Sequence, residues 1–317
     1  MPDASVCIIT YNQEKFISQA IESVLMQETD FNYEIVIGED CSTDKTGEIV
    51  KEYGRKYADK IVPLFNNSNS GMHRNQARVL KACQGKYVAL LDGDDYWTCP
   101  CKLQKQVDFL EINKECTICF HKTEVFYEDK SKKAYNSPVQ DQKKISTIYD
   151  LLEENFMQTS SVMFRNRLFN ELPDFYFKSF ANDYYLHLIN AHYGNIGYID
   201  EVMSAYRIHK DGIWSMKQEK NVIKNVFNII EIFNEFNIYT DYKYNDKIKS
   251  RICSLFYGLL SKYEEEHDRC NAKKALIHFR KILPFNVFLN TLFKLYMPFL
   301  YNSCRYYKHI LFKQIGL

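Results

Sequence analysis

Three aspartates within four residues, Asp92, Asp94 and Asp95, are the strongest chemical feature of the sequence. They follow the apolar run 87–91, and Gly93 between them allows a tight backbone turn. Carboxylates so close together repel one another, and a divalent cation cancels that repulsion. Sites for Mg²⁺ commonly combine one or two carboxylates with phosphate oxygens of a substrate. The cluster therefore favours a Mn²⁺ or Mg²⁺ site that binds a diphosphate over a solvated acidic turn.

The elements around this cluster are expected to place it at the edge of a sheet. Short apolar runs alternate with segments of helical spacing. Strands are expected at 4–10, 34–38, 61–65 and 87–92, and helices at 15–27, after residues 42–44 to about 58, at 71–83 and at 100–112. This alternation predicts an α/β fold with a mostly parallel sheet covered on both faces. Ligands of such sheets bind at the carboxyl ends of the strands, so the loops after the first, second and fourth strands should carry the chemistry.

The rest of the chain is mixed at first and then helical. We expect β-structure at 117–127, an exposed polar loop at 129–144, helices at 146–155 and 182–192, and a strand at 196–200. From about residue 217 the spacing of apolar residues is helical. We therefore predict a catalytic domain over residues 1–215 and a helical C-terminal region over 216–317.

The charge distribution singles out the end of the chain. Residues 269–317 contain nine Lys and Arg residues and no Asp or Glu, although the whole chain has a net charge of only +1. The apolar, aromatic segment 282–301 is interrupted by Pro284 and Pro298, which argues against a membrane-spanning helix. Short helices with aromatic and basic faces suit an anionic membrane surface. The alternative is a helical pair packed on the catalytic domain.

Three motifs, taken in order, resemble the GT-A glycosyltransferases of family 2. They are Ser-Val-Cys-Ile-Ile-Thr-Tyr-Asn at 5–12, Glu-Asp-Cys-Ser-Thr-Asp at 39–44 and Asp-Gly-Asp-Asp at 92–95. The resemblance covers about residues 3–215 and implies the GT-A fold, which is Rossmann-like. It also implies inverting sugar transfer from a nucleotide-sugar donor. Cys41 replaces the glycine usual in the second motif, and Glu39 replaces its usual first aspartate.

The resemblance implies a donor site built from several loops. Asp40 would accept a hydrogen bond from the donor base, which suits uracil N3–H, and Asp92 would bind the ribose hydroxyls. The other residues expected at the donor are Thr10, Tyr11, Asn12, Glu39, Arg74, Gly93 and Trp214. Arg74 could equally be a plain surface residue. Trp214 would act as the lid of a loop hinged at Gly212.

The resemblance also implies a cation site. Asp94 would bind the metal, and Asp95 would be a second ligand or the cap of the next helix. His209 lies in the segment Tyr-Arg-Ile-His-Lys-Asp-Gly at 206–212, which resembles a recurring family segment. Its neutral imidazole could complete the cation site.

Inverting transfer requires a carboxylate that takes the proton of the acceptor hydroxyl. Asp183 opens an aromatic, apolar helix, as the base of the family does, and the alternative is that it only caps that helix. The nearest rival, Asp174 after Pro173, lacks this pattern.

Together these features predict a glycosyltransferase that moves a hexosyl or N-acetylhexosaminyl group from a UDP-sugar to an acceptor hydroxyl. We expect the acceptor to be a glycan, in particular a lipid-linked glycan of bacterial surface polysaccharide synthesis, and we expect no nucleic-acid partner. The first residues show no secretory signal. The expected location is therefore the cytoplasm, at the inner face of the cell membrane. A metal-dependent nucleotidyltransferase and a non-catalytic sugar-binding GT-A protein remain as alternatives.

Overall fold

The computed structural model describes residues 2–139, 141–179, 181–212, 222–265, 268–280 and 285–296. The chain forms two compact units, which divide between Val222 and Ile223.

The first unit is built on one ten-stranded sheet. The strands are β1 Ala4–Thr10, β2 Tyr33–Glu39, β3 Ile61–Phe65, β4 Tyr87–Asp92, β5 Tyr96–Trp97, β6 Cys116–Tyr127, β7 Tyr135–Ser137, β8 Ile145–Ser146, β9 Met163–Arg165 and β10 Asn195–Ile208. The order is β3-β2-β1-β4-β9-β6-β10-β5, with β7 on β6 and β8 on β10. Strands β1 to β4 are mutually parallel, as are β6 and β10, whereas β9 runs antiparallel between β4 and β6. The predicted mostly parallel sheet is confirmed.

Helices connect these strands and cover the sheet. They are α1 Ile17–Leu25, α2 Thr46–Lys56, α3 Met72–Ala82, α4 Lys102–Ile112, α5 Ile148–Glu153 and α6 Asn182–Ala191, with 3-10 turns at Thr159–Ser161 and Asp174–Phe177. Strand β1 is buried on both faces, which explains its continuous apolar sequence. Ile8 packs in one cluster with Ile21 of α1. Cys7 points to the opposite face, where it contacts Cys83 at the end of α3.

The structure departs from the sequence prediction mainly around β10. This strand extends over Asn195–Ile208, beyond the predicted 196–200. The exposed pair Asp200 and Glu201 breaks the apolar pattern, and the pairing with β6 shifts register at this point. Strand β7 lies within the segment predicted to be a loop, where it pairs with β6.

The second unit is helical, as predicted. Its helices are α7 Val222–Tyr239, α8 Asn245–Glu265, α9 Arg269–Phe279 and α10 Phe285–Tyr296. Phe233 and Phe236 of α7 and Phe256 of α8 are fully buried. Among the residues that the structure describes, no helix is long and apolar enough to cross a membrane. Much of the basic tail, residues 281–284 and 297–317, lies outside the described residues.

Candidate active site

A cavity of about 560 Å³ opens in the first unit at the carboxyl ends of β1, β2 and β4. Because β1 lies between the other two, Thr10 pairs with Glu39 and Ile9 pairs with Asp92, so the three loops meet at one edge. The cavity is lined by most of the predicted site residues: Thr10, Tyr11, Asn12, Asp40, Asp92, Asp94, Asp183 and His209. Residues separated by almost 200 positions in sequence therefore line one cavity.

Four predicted residues do not line the cavity, and a fifth lies outside the described residues. Glu39, Gly93 and Asp95 are buried behind the cavity, whereas Arg74 is exposed on α3. Trp214, the expected lid, lies outside the described residues, so its role stays a prediction.

Gly93 shapes the acidic turn by its lack of a side chain. Its N–H donates to the carbonyl of Ile9 at 3.0 Å, which holds the turn against β1. A Cβ atom at this position would stand 2.4 Å from Oε1 of Gln13 and 2.8 Å from Oγ1 of Thr10. Only glycine therefore lets the loop of Asp92 and Asp94 approach β1 so closely.

Asp94 and His209 form a pair on the cavity wall. Oδ2 of Asp94 lies 3.1 Å from Nε2 of His209, and the carboxylate keeps 21% of its surface exposed while the imidazole keeps 4%. The ring of Phe16 packs against the imidazole at 4.8 Å between centroids. Within the described ranges, no cluster of three or more His, Cys, Asp or Glu side chains could hold a metal alone. One oxygen and one nitrogen ligand suit a cation whose remaining ligands come from a diphosphate and water.

Asp95 faces away from the cavity and anchors the acidic turn. Its Oδ1 accepts the backbone N–H of Arg207 at 2.9 Å, and Arg207 Nε donates to the carbonyl of Asp94 at 3.1 Å. The Arg207 guanidinium lies over the rings of Phe16 and Phe126, at 4.7 and 5.0 Å. Burial, with repulsion from Asp94, raises the pKa of Asp95 well above its usual value. Asp95 does not cap α4, and its contacts are those of a residue that ties the turn to β10.

Arg207, within the segment 206–212 noted in the sequence, also lines the cavity. The charge of this residue and its place two positions before His209 were the available signals. The rings around its guanidinium, Phe16, Tyr96 and Phe126, come from distant parts of the chain, which no local pattern reveals.

Two carboxyl groups in the cavity, those of Asp92 and Asp183, have pKa values above the usual one. Burial raises the pKa of Asp92 to about 8, and repulsion from Asp94 and Asp183 adds to that rise. Burial also raises the pKa of Asp183, against the opposing effect of backbone N–H groups at Asp183 and Tyr184. Carboxyl groups with raised pKa values gathered in a cleft are typical of functional sites. Burying a charged carboxylate costs free energy, and a bound cation can offset that cost.

Asp183 occupies the first turn of α6, whose N-terminal cap is Ala181. The preceding residue, Asn182, donates its side-chain N–H to Oε1 of Gln76 at 2.6 Å, and the hydroxyl of Tyr176 donates to the same oxygen. Gln76 on α3 therefore fixes the start of α6. Gln76 and Asn182 give no signal in the sequence, because a buried amide in a helix looks like any polar surface residue until its partner is known.

Asp40 lines the cavity but already accepts several hydrogen bonds. Its oxygens accept from the side chain of Asn66 at 2.5 Å, the backbone N–H of Ser70 at 2.9 Å and that of Gly71 at 2.8 Å. Burial opposes ionisation, but these bonds outweigh it and hold the pKa of Asp40 below its usual value. Asp40 therefore orders the segment 66–71 beside the cavity, and its contact with a donor base stays a prediction.

Glu39 and Cys41 shape the second loop. Cys41 has φ of 59°, the left-handed conformation that glycine adopts most easily, which accounts for the glycine expected there. Glu39 accepts the backbone N–H of Cys41 at 3.2 Å and that of Ser42 at 2.7 Å, and thereby holds the loop in this conformation. Asn12 also has a positive φ, of 53°, and its backbone N–H donates to Ser42 Oγ at 2.9 Å.

Residues 5–173 match the family described as glycosyl transferase family 2. The chain belongs to glycosyl transferase family 2. An uncharacterized protein of Mycobacterium tuberculosis is 40% identical over 215 residues, which are 66% of this chain and 60% of that protein. The aligned part therefore spans less than two thirds of that relative's length.

Solved structures of similar fold agree with this membership. The structure of Staphylococcus aureus TarS 1-349 in complex with UDP-GlcNAc has a TM-score of 0.63 at 20% identity, covering 90% of this chain and 82% of that one. The mannosyltransferase PcManGT from Pyrobaculum calidifontis, in complex with GDP-Man and Mn²⁺, has a TM-score of 0.59 at 15% identity, covering 95% and 82%. TarS is also similar in sequence: it is 42% identical over 96 residues, which are 29% of this chain and 16% of TarS. Its name is poly(ribitol-phosphate) beta-N-acetylglucosaminyltransferase. The GT-A fold expected from the motifs is confirmed.

Proposed function

We propose that this chain is a metal-dependent, inverting glycosyltransferase that moves a sugar from a nucleotide-sugar donor to an acceptor hydroxyl. One observation carries the proposal. A single cavity at the carboxyl edge of the sheet is lined by both the Asp94–His209 pair and Asp183. The first suits a cation on a diphosphate, and the second suits a base for the acceptor.

The proposed cation is Mn²⁺ or Mg²⁺, held by Asp94 and His209. When bound, it would neutralise the charge that develops on the departing nucleoside diphosphate. Support comes from the donor set, an oxygen and a nitrogen that Mn²⁺ accepts, and from the Mn²⁺ in the PcManGT complex. The raised pKa of Asp92 adds a second argument, since a nearby cation would favour its ionised form.

Asp183 is the proposed general base. The acceptor O–H would give its proton to the Asp183 carboxylate while the oxygen attacks the anomeric carbon and the bond to the diphosphate breaks. Burial raises the pKa of Asp183, and a higher pKa makes the carboxylate a stronger base. Gln76, through Asn182, holds the helix turn that carries Asp183.

The proposed donor is a UDP-sugar that carries a hexosyl or N-acetylhexosaminyl group. Its support is the likeness to TarS, whose structure contains UDP-GlcNAc. The nucleotide would lie toward the ends of β1 and β2, near Thr10, Asn12 and Asp40.

The proposed acceptor is a glycan or a polyol-phosphate polymer of the bacterial surface, in some cases lipid-linked. The name of TarS supports a polymer acceptor. The basic tail supports a location at the inner face of the cell membrane, because each Lys or Arg near an anionic surface contributes about 1 kcal/mol to binding. The full chain should bind vesicles that contain anionic lipid, detach as salt rises, and ignore neutral vesicles. Equal binding to both vesicle types would exclude the electrostatic attachment.

The proposed activity is tested with a panel of nucleotide sugars, with and without Mn²⁺ or Mg²⁺. We expect release of the nucleoside diphosphate from one donor class, only when the metal is present. Release of pyrophosphate would instead identify a nucleotidyltransferase. Binding without turnover of any donor, with several polymer acceptors supplied, would indicate a non-catalytic protein.

A further inference from the structure

The 3-10 turn Thr159–Ser161 borders the cavity on the side of β4 away from β1 and β2. Thr159 lines the cavity, and the turn leads directly into β9. Strand β9 pairs with β4 on the side opposite β1, and Leu90 of β4 donates its N–H to the carbonyl of Val162 at 3.0 Å. Along this edge, Asp40, Thr10, Asp92 and Thr159 therefore follow one another in that order. With the nucleotide placed near β1 and β2, as proposed, the turn lies on the side of the cavity left for the acceptor.

Two buried side chains bind the carbonyls of this turn from behind. Nε1 of Trp97 donates to the carbonyl of Ser160 at 3.0 Å. Nε2 of Gln106 donates to the carbonyl of Ser161 at 2.8 Å and to that of Cys119, on β6, at 3.3 Å. Trp97 is 1% exposed and Gln106 is fully buried, so these bonds are shielded from competing water.

A buried lysine fixes the orientation of the Gln106 amide. Nζ of Lys102 donates to Oε1 of Gln106 at 2.5 Å and lies 3.9 Å from the centre of the Trp97 ring. An amide that binds by one end only can rotate by half a turn, which would present its oxygen to the carbonyl of Ser161. The lysine prevents this, because its N–H requires the oxygen. Burial lowers the pKa of Lys102 to about 7, and either form of the amine keeps an N–H to donate.

We propose that Lys102, Gln106 and Trp97 are positioning residues that hold the Thr159–Ser161 turn against the cavity and thereby set how well the acceptor binds. They do not touch the cavity themselves. Substitutions in this cluster should weaken acceptor binding more than nucleotide binding. None of the hydrogen bonds described above reaches β1 or β2, on which the proposed nucleotide side is built. The assignment of an acceptor rests on the proposed function.

Two mild substitutions test the cluster. Trp97→Phe keeps the ring under Lys102 but removes the N–H to Ser160, and Gln106→Met removes the amide while keeping most of the volume. Gln104→Met is the matched control, since Gln104 lies on the same helix and its amide donates to Asp108, away from the turn. The readouts are KM and kcat with poly(ribitol phosphate) as acceptor, Kd for UDP, and slow release of UDP when water is the acceptor.

We expect kcat/KM for the polymer to fall about 3- to 10-fold in Trp97→Phe, which loses one hydrogen bond. Gln106→Met should lower it at least as much, because it removes the bonds to Ser161, Cys119 and Lys102. Kd for UDP and transfer to water should stay within twofold of the parent, and the Gln104 control should match the parent throughout. A parallel fall in donor binding and polymer transfer would contradict a specific role toward the acceptor. Unchanged polymer kinetics would contradict any positioning role.

Amide hydrogen exchange separates this inference from the proposed function. Exchange at residues 158–162 should quicken in both variants, while exchange within α3 stays unchanged. Unaltered exchange at the turn overturns the positioning role even if the chain transfers no sugar. If exchange quickens but the parent chain releases no diphosphate with any donor, the cluster holds the turn without serving an acceptor. That result would overturn the inference as stated.

Discussion

Asp94 and Asp183 line the same cavity but lie on different elements, and the surroundings of each suit a different role. Asp94 lies on a tight turn beside the imidazole of His209, an arrangement suited to a cation. Asp183 lies in the first turn of α6, where burial raises its pKa and strengthens it as a base. Each role can be removed by one substitution.

Asp94→Ala should abolish the part of nucleotide binding that depends on metal. The carboxylate is the proposed link between the cation and the protein, so its loss leaves one imidazole ligand. Calorimetric titration of UDP with and without Mn²⁺ measures the effect. Asp59→Ala, on the exposed surface, is the control. If the variant still binds UDP more tightly with Mn²⁺ than without, to the same extent as the parent, Asp94 is not a ligand.

Asp183→Asn should leave donor binding intact and lower turnover by about 10²- to 10⁴-fold, the usual contribution of a positioned base. The amide has nearly the same shape but cannot take the proton. Asp174→Asn is the matched control, because Asp174 opens the neighbouring 3-10 turn. Steady-state rates of diphosphate release give the answer. Turnover within a few-fold of the parent would rule out Asp183 as the base.

The same substitution should stabilise the fold at neutral pH when no metal is present. A carboxyl whose folded pKa is raised costs stability once pH rises above its unfolded pKa, and the cost is complete above the folded pKa. Asp183→Asn should therefore unfold at a higher temperature than the parent at pH 7, and the gap should close toward pH 4. If Asp183→Asn instead unfolds at a lower temperature than the parent at pH 7, and this deficit shrinks toward pH 4, the Asp183 carboxylate is stabilised in the fold.

At the scale of elements, Gly93 sets the distance between the acidic turn and β1. Gly93→Ala should weaken Mn²⁺-dependent UDP binding and destabilise the fold by about 1–3 kcal/mol, since the new Cβ forces Thr10 or the turn to move. Gly258→Ala is the control, because a Cβ there meets nothing within 4 Å. Urea unfolding and UDP titration together test this. A variant as stable and as tightly binding as the parent would show that the turn tolerates a side chain.

The regular elements were predictable wherever local pattern and tertiary burial agree. The strands β1, β2 and β4 follow from continuous apolar runs, because parallel strands inside a sheet are buried on both faces. The edge strand β3 is partly exposed but is also a short apolar run, and the helices between the strands follow from helical spacing. The extent of β10 was not predictable, since the exposed Asp200 and Glu201 mark a register shift against β6. Strand β7 was missed because its pairing with β6, and not its own composition, makes it a strand.

The site was predictable where its chemistry rests on charged residues at strand ends. Asp92, Asp94, Asp183 and His209 meet in the cavity, as the motifs indicated. The supporting residues were hidden, because Gln76 and Gln106 act through partners far away in sequence. Asp95 was expected at the metal, yet its contacts run to the backbone of Arg207, a partner that only the tertiary structure reveals.

At the scale of the whole molecule, the proposed function assigns donor and acceptor to one edge of the sheet. The loops after β2, β1 and β4 would hold the nucleotide and the cation, and the acceptor would lie beyond β4. A single carboxylate, Asp183, is assigned to proton transfer. Because no second carboxylate is assigned to attack the sugar, the proposal implies a one-step displacement in which the acceptor lies opposite the leaving diphosphate.

The stereochemistry of transfer tests that displacement most directly. NMR would follow the full chain with Mn²⁺ and UDP-GlcNAc, or whichever α-linked donor the panel identifies, as the sugar passes to an acceptor hydroxyl or slowly to water. Attack from the side opposite the diphosphate predicts that the first product formed has the β configuration. A first product with the α configuration would mean that configuration is retained, and would contradict a single displacement with Asp183 as its base.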